Sequence, residues 1–268
     1  MRKRIAYLIG NKLPYFYGKS TLIRSLYSPD KDLNSGEKFL TNYYGFKYEG
    51  ITSQYQDWGV YFLGGLEKGL VNYIQSEISN FKYFFDIGSN TGTISLPFSS
   101  KRDLKIICFE PLEYNFKKLT RNYEINNVLD NHIFHKIALS NKSESNYIYF
   151  SDKDNNTGSA SLDPKLKSIN DYNNKEKVLV EKLDNLYDLK NENIFIKIDV
   201  EGLEDKVIEG SSEILKNNNV LMYLETLNNS LLNNLKNNNF KIFYPLFYEK
   251  KYIFKNKQLS NNVILKNY

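Results

Sequence analysis

The spacing of apolar residues changes along the chain, and each change marks an element. Leu63, Leu66, Leu70, Ile74 and Ile78 recur at helical spacing and predict one helix. It leads into an apolar run, residues 81–85, that halts at Asp86. A turn spaced by Gly88 and Gly92 follows, then a helix-like segment over 93–99. A second apolar run, 104–109, stops on Glu110-Pro111. Leu112, Phe116, Leu119 and Tyr123 predict an amphipathic helix that stops near Asn126-Asn127. Residues 132–139 predict a third strand and 147–150 an added one. The polar stretch 151–174 reads as mostly loop. Residues 178–180 are short and β-like, and 183–186 predict a brief helix.

Residues 194–198 predict a strand followed directly by Asp199 and Glu201, and Leu203, Val207 and Ile214 predict the next helix. A buried strand over 220–224 ends at Glu225, and Leu231, Leu232 and Leu235 suggest a further helix. Strands at 240–248, 252–254 and 263–265 close the chain, the first two joined as a hairpin through Glu249-Lys250-Lys251. Strands alternating with helices give an α/β fold, a doubly wound, mainly parallel sheet with an antiparallel C-terminal edge. Residues 1–60 lack strong periodicity and read as an irregular or helical N-terminal appendage, leaving 61–268 as the main domain. Ligands of such sheets bind outside the carboxyl ends of the strands. Asp86, Glu110, Asp199, Glu201 and Glu225 are all expected on that rim.

Composition narrows the function classes. With 268 residues, 41% hydrophobic and 25% charged, the chain is an ordinary folded protein. Its net charge of +5 is spread out, with no basic block to argue for nucleic acid. The single cysteine, Cys108, lies in an apolar strand, which excludes an internal disulfide and a cysteine-based zinc site. A reducing, cytoplasmic compartment is expected. No apolar run reaches the roughly 18–20 residues that span a bilayer, and residues 1–10 only faintly imitate a signal peptide.

Gly88 and Gly92 let the backbone turn tightly and come close to a ligand. The N–H groups opening the next helix are expected to favour an anionic group such as a carboxylate. Glu110, 18 residues after Gly92, can accept hydrogen bonds from both hydroxyls of a ribose. A dinucleotide fingerprint needs G-x-G-x-x-G; here Asn90 stands where the second glycine would admit a pyrophosphate. A ligand with a ribose, no phosphate and an amino-acid end fits better. S-adenosylmethionine has that constitution, and Asp86 is expected near its ammonium. Gly18-Lys19-Ser20-Thr21 imitates the end of a P-loop, but Leu13 occupies the first glycine position, so a surface turn is expected.

Four blocks then carry a family resemblance: 85–92 (FDIGSNTG), 109–116 (FEPLEYNF), 138–140 (ALS) and 197–204 (KIDVEGLE). In this order they resemble the FkbM family of S-adenosylmethionine-dependent methyltransferases, over about residues 50–230. The resemblance implies a Rossmann-like class I fold of about seven strands and O-methylation, commonly of a sugar or polyketide hydroxyl, as in polysaccharide biosynthesis. It implies cofactor contacts from Asp86, Gly88, Ser89, Asn90, Gly92, Glu110, Pro111 and Asn115. Ser89 and Thr91 depart from the family's more apolar residues there, and both are small enough to leave the turn intact.

Strand alternation places Lys197, Asp199 and Glu201 on one side, so Asp199 and Glu201 are expected to face the acceptor, joined by Glu225. Three carboxylates can act as base, hold sugar hydroxyls or bind a divalent cation; no metal site is assigned. His132 and His135 are expected at the start of the third strand in structural roles. Tyr55 and Trp58 can stack on a sugar or anchor the appendage, and the loop at 157–161 is an expected acceptor contact. Expected partners are sugars or other hydroxyl-bearing small molecules, not nucleic acid. Two alternatives stay open: a nucleic-acid methyltransferase, which lacks its usual motif here, and a catalytically silent assembly module.

Overall fold

The computed structural model describes residues 1–14, 16–28, 36–151, 157–165, 172–225, 231, 235, 240–248, 251–255 and 263–268. The N-terminal segment is more regular than expected. Two helices, α1 (Arg2–Lys12) and α2 (Lys19–Leu26), precede a hairpin of β1 (Lys38–Tyr43) and β2 (Phe46–Ile51) and a short α3 (Tyr55–Trp58). The P-loop imitation is the start of α2, not a surface turn. Gly18 holds φ +82° at its head, and the buried Lys19 donates its Nζ to the Leu13 carbonyl at 2.7 Å.

The long helix expected over 63–78 is broken by its glycines. A π turn, Gly59–Leu63, ends at Gly64 and Gly65, with φ of +72° and +112°. Only then does α4 (Lys68–Glu77) begin, followed by a 3-10 turn, Ile78–Asn80. The main sheet opens with β3 (Tyr83–Ile87) and β4 (Lys105–Phe109). Between them the expected helix over 93–99 shrinks to one 3-10 turn, Leu96–Phe98. Pro97 lacks an N–H, and the β-branched Thr91, Thr93 and Ile94 disfavour a helical start. The amphipathic α5 (Glu113–Glu124) follows, with Leu119 and Tyr123 fully buried.

The predicted third strand splits into β5 (Ile133–His135) in the main sheet and β6 (Ala138–Leu139) in a second one. That second sheet has the order β6-β8-β7, with β7 (Glu144–Phe150) and β8 (Asn174–Glu181) antiparallel. The chain returns through α6 (Leu183–Leu186) to β9 (Asn193–Ile198). The single helix expected after β9 is two, α7 (Glu204–Glu209) and α8 (Ser212–Asn217). They part at Gly210, where a Cβ would lie 2.0 Å from the Ser140 carbonyl oxygen. After β10 (Asn219–Leu224), Leu231 and Leu235 are helical and buried. The rest of that expected helix, and Glu249-Lys250 of the expected hairpin turn, lie outside the described residues. The chain closes with β11 (Lys241–Tyr248), β12 (Lys251–Lys255) and β13 (Val263–Lys266).

The main sheet has the order β12-β11-β13-β10-β9-β3-β4-β5, eight strands. Strands β5, β4, β3, β9 and β10 are parallel, and β13 lies antiparallel between β10 and β11. This is the class I methyltransferase arrangement with one additional edge strand. The central strands are apolar on both faces because both faces are covered. One core layer (Phe84, Ile106, Phe195, Leu221) meets α4 and the hairpin; the other (Phe85, Ile107, Ile196, Met222) meets α7 and α8. The order reverses between β3 and β9, so the crevice opens above these two strands.

Candidate active site

The turn after β3 is built by close approach. Gly88 has φ +72°, and a Cβ there would lie 1.9 Å from the Asp199 carbonyl oxygen, so the turn rests on the backbone leaving β9. Gly92, φ +82°, similarly faces the Leu119 side chain. Asn90 occupies the left-handed region at φ +49°, which asparagine tolerates better than most residues. The two hydroxyls that depart from the family pattern are used. Ser89 donates to the Asp86 carbonyl at 2.5 Å and accepts the Phe109 N–H at 3.1 Å. Thr91 shares a 2.8 Å hydrogen bond with Tyr48 of β2, tying the N-terminal hairpin to the turn.

Glu110 follows β4 and is held by donors from three positions. Asn90 N–H donates to Oε2 at 2.9 Å; Leu112 N–H and the Asn115 amide donate to Oε1 at 3.0 and 3.4 Å. Burial pushes its carboxyl up to about 7, against the pull of those donors. The N–H of Asn90 therefore goes to Glu110, and no α-helix opens after the turn to offer the anion site expected there.

Glu110 lies in the wall of a cavity of about 410 Å³ at the carboxyl ends of the strands. Near Glu110 the wall is largely apolar: Phe109, Pro111, Ile137, Ala138 and Leu162. Toward β9 and β10 it is charged, with Glu67, Lys197, Asp199, Glu201 and Glu225. Tyr55, Gln56, Gly158 and Ser161 complete the mouth.

Lys197 is the hub of the charged end. Its ammonium donates to the Gly88 carbonyl at 2.7 Å and stands 3.3 Å from Asp199 and 3.5 Å from Asp86. Burial opposes its charge, but Asp199, Asp86 and Glu67 outweigh burial and hold it above the ordinary lysine range. Burial likewise works against ionised Asp199, and Lys197 with a hydrogen bond from Glu225 overcomes it, so Asp199 is held below its usual value. Glu225 is pushed up to about 9, first by that hydrogen bond and then by burial. One proton thus sits between Asp199 and Glu225 at neutral pH, on Glu225.

Most of the expected rim forms, with two corrections. Glu110, Asp199, Glu201 and Glu225 line the cavity together with Gly88, Ser89, Asn90, Pro111 and Asn115. Asp86 and Gly92 do not line it: Asp86 is fully buried within β3 and faces Lys197 from beneath, while Gly92 shapes the turn. Lys197 and Ser95 favour the ionised form of Asp86, but burial outweighs them and raises its pKa. Strand alternation also fails before Glu201. β9 ends at Ile198, and Glu201 takes φ +54° beside Gly202 at +95°, a conformation costing roughly 1–2 kcal/mol for a non-glycine residue.

His132 accepts the Ile106 N–H and bonds the Ser99 carbonyl, a structural role. His135 is the last residue of β5 rather than near the start of a long strand; it stacks on Phe109 and bonds Tyr187. Trp58 is buried, donating to the Tyr27 carbonyl, and so anchors the appendage, whereas Tyr55 faces the cavity. Cys108 is a core residue whose thiol burial pushes up to about 12. Among the described residues, no group of three or more His, Cys, Asp or Glu is arranged to hold a metal ion. No helix among them is long and apolar enough to cross a membrane.

Glu67 and Tyr223 were not legible as site residues. Tyr223 reads as one more apolar position of β10. Glu67 comes from the segment before the matched motifs, and its one sequence signal is the Gly64-Gly65 pair that stops the preceding turn.

Solved structures similar to this chain include an O-methyltransferase from Bacillus cereus in complex with SAH (11% identity, covering 74% of this chain and 80% of that one, TM-score 0.42). They also include the Pyrococcus abyssi tRNA (uracil-54, C5)-methyltransferase in complex with S-adenosyl-L-homocysteine (14% identity, 86% of this chain and 44% of that one, TM-score 0.45). A third is the precorrin-6y C5,15-methyltransferase from Geobacter metallireducens (12% identity, 70% of this chain and 78% of that one, TM-score 0.35). No curated protein matches the sequence. The family model described as the methyltransferase FkbM domain matches residues 86–242, more than half of the sequence and all three strand ends followed by cavity carboxylates, and the chain belongs to that family.

Proposed function

We propose that the chain is an S-adenosylmethionine-dependent O-methyltransferase whose acceptor is a hydroxyl of a sugar or a similar small molecule. One observation carries the reading: a single cavity joins an apolar end beside Glu110 to a charged end around Lys197. The residues present fit the cofactor. Three donors take three of the four lone-pair sites of the Glu110 carboxylate, which leaves one on Oε2 for a ribose hydroxyl. Pro111, Ile137 and Leu162 offer apolar surface for a purine. The zwitterionic amino-acid end suits the opposite, charged wall.

Bound there, the cofactor supplies a methyl group already activated by the sulfonium. The remaining work falls to the chain, which must orient the acceptor oxygen and accept its proton. Orientation of this kind supplies roughly 7–11 kcal/mol of a barrier, and a positioned base adds about 10²–10⁴-fold. Asp199, stabilised as its anion by Lys197, is a weak base, and Glu225 already carries a proton at neutral pH. Glu201 is therefore assigned to take the proton. The Ser161 hydroxyl bonds the Glu201 carbonyl at 3.2 Å, tying the 157–161 loop to it. Tyr55, whose ring also packs against Trp58 and Arg24, borders the mouth with the polar Gln56 and Ser161, a combination suited to a sugar.

The test is methyl transfer from methyl-labelled cofactor to nucleotide sugars and glycosides, with an RNA oligonucleotide as comparator. Label in an alkali-stable ether on a sugar is expected. Label confined to RNA overturns the acceptor class, and failure of the wild type to bind S-adenosylhomocysteine overturns the whole reading.

A further inference from the structure

Glu67 stands apart from the other acids of the cavity. Glu110 is held by three donors, and Asp199 has both Lys197 and Glu225. Among the described residues no side chain donates to the Glu67 carboxylate or forms an ion pair with it, although it lies in the cavity wall. Its position is fixed by the backbone: the left-handed Gly64-Gly65 pair stops the π turn, and Glu67 heads α4. The groups facing it from neighbouring elements are mostly acidic or neutral. They are Tyr43 from β1, Asp86 from β3, Lys197 from β9, Asp199 beyond it, Tyr223 from β10 and Glu225 beyond that. Lys197 is the one cation among these, and it is committed to Asp86, Asp199 and the Gly88 carbonyl. Burial, then Asp199, pushes the Glu67 carboxyl up to about 7, so the free chain holds it partly protonated. The charged end of the cavity therefore has room for one more cation.

Resting on the cofactor reading above, we infer that Glu67 is a cofactor-binding residue whose carboxylate receives the ammonium of the cofactor's amino-acid end. The orientation follows from the two ends of the cavity. With the ribose on Glu110 and the purine against Pro111 and Ile137, the 5′ substituent runs back over the Gly88 turn toward β9. Lys197 already donates to the Gly88 carbonyl and takes one of its two lone pairs, whereas Glu67 is a charged acceptor with no donor among the described residues. It also comes from outside residues 86–242, from the head of α4 ahead of the matched region.

Two ligands separate this role from others. S-adenosylhomocysteine carries the amino-acid end; 5′-methylthioadenosine has the same nucleoside and thioether without it. Calorimetric titration of the full chain at pH 8 compares wild type with Glu67→Gln, a neutral isostere of the protonated residue that removes no hydrogen bond or ion pair. Glu67→Gln is expected to weaken S-adenosylhomocysteine at least tenfold and to leave 5′-methylthioadenosine within threefold. Equal loss of both ligands, or no loss of either, overturns the assignment. So does wild-type affinity for S-adenosylhomocysteine with lost turnover, which makes Glu67 the base. A wild type that binds neither ligand overturns the cofactor reading instead.

Discussion

Replacing Glu110 by Gln removes one negative charge from the apolar end of the cavity, where the ribose is proposed to bind, and little volume. In the wild type, Oε2 accepts from Asn90 N–H at 2.9 Å while Oε1 accepts from Leu112 N–H at 3.0 Å and from Asn115 at 3.4 Å. A glutamine presents a single acceptor oxygen, so its NH₂ must face one of these backbone donors. A buried unsatisfied donor costs about 1–3 kcal/mol. The ribose hydroxyls lose a charged acceptor as well, and hydrogen bonds to charged groups contribute about 1.5–3 kcal/mol. Only the second loss falls on binding, because the first is present with or without ligand. About 3 kcal/mol corresponds to roughly a hundredfold weaker Kd. Titration of S-adenosylhomocysteine and 5′-methylthioadenosine at pH 8 measures it, and both ligands should weaken alike because both carry the ribose. Binding of either ligand within threefold of wild type would refute the placement of the ribose on Glu110.

Gly88→Ala sets a Cβ 1.9 Å from the Asp199 carbonyl oxygen at φ +72°; it should abolish S-adenosylhomocysteine binding, and retained binding in calorimetry sinks the close-approach argument. Lys197→Met leaves Asp86 and Asp199 without their cation; urea unfolding should show a loss of about 3–5 kcal/mol, partly restored by adding Asp86→Asn. Glu201→Gln should remove turnover while ligand binding persists, and undiminished turnover dismisses Glu201 as the base. The free chain should lose stability as pH rises. Glu110 is raised in the fold to about 7 and Glu225 to about 9. The stability each contributes is full below the unfolded value near 4.5 and is lost as pH climbs through the folded one. For Glu110 the loss is up to about 3 kcal/mol. Asp199, lowered by Lys197, acts the other way but only in strong acid. Tm measured from pH 5 to pH 9 should fall, and Glu225→Gln should flatten the upper part of that curve.

The sequence by itself determined the order of the fold and the Glu110 end of the cavity. Apolar runs buried on both faces cannot be anything but central strands here, and each ended on its own signal, Asp86 with the glycine turn or Glu110 with proline. Glu110 was legible because its role depends on local geometry: a strand end, a fixed separation and the turn it bonds to. Breaks within elements were harder to see. Gly64-Gly65 and Gly210 interrupt apolar patterns that continue across them, and the reason at Gly210 is a carbonyl from another segment 2.0 Å from where a Cβ would be. Residues 132–139 carry one uninterrupted pattern yet serve two sheets, since periodicity records burial and not which sheet does the burying.

Only the tertiary structure decided the charged end. Asp86 looked like a rim acid and is instead fully buried below the rim, because β3 runs one residue further than the acid suggested. Lys197 became the hub because β3 and β9 are neighbours in register, Asp86 opposite Lys197. Glu67 and Glu225 reached the same cavity from segments about 160 residues apart. Charges interact through space, so which acid is ionised, which holds a proton and which awaits a cation is settled when the elements pack.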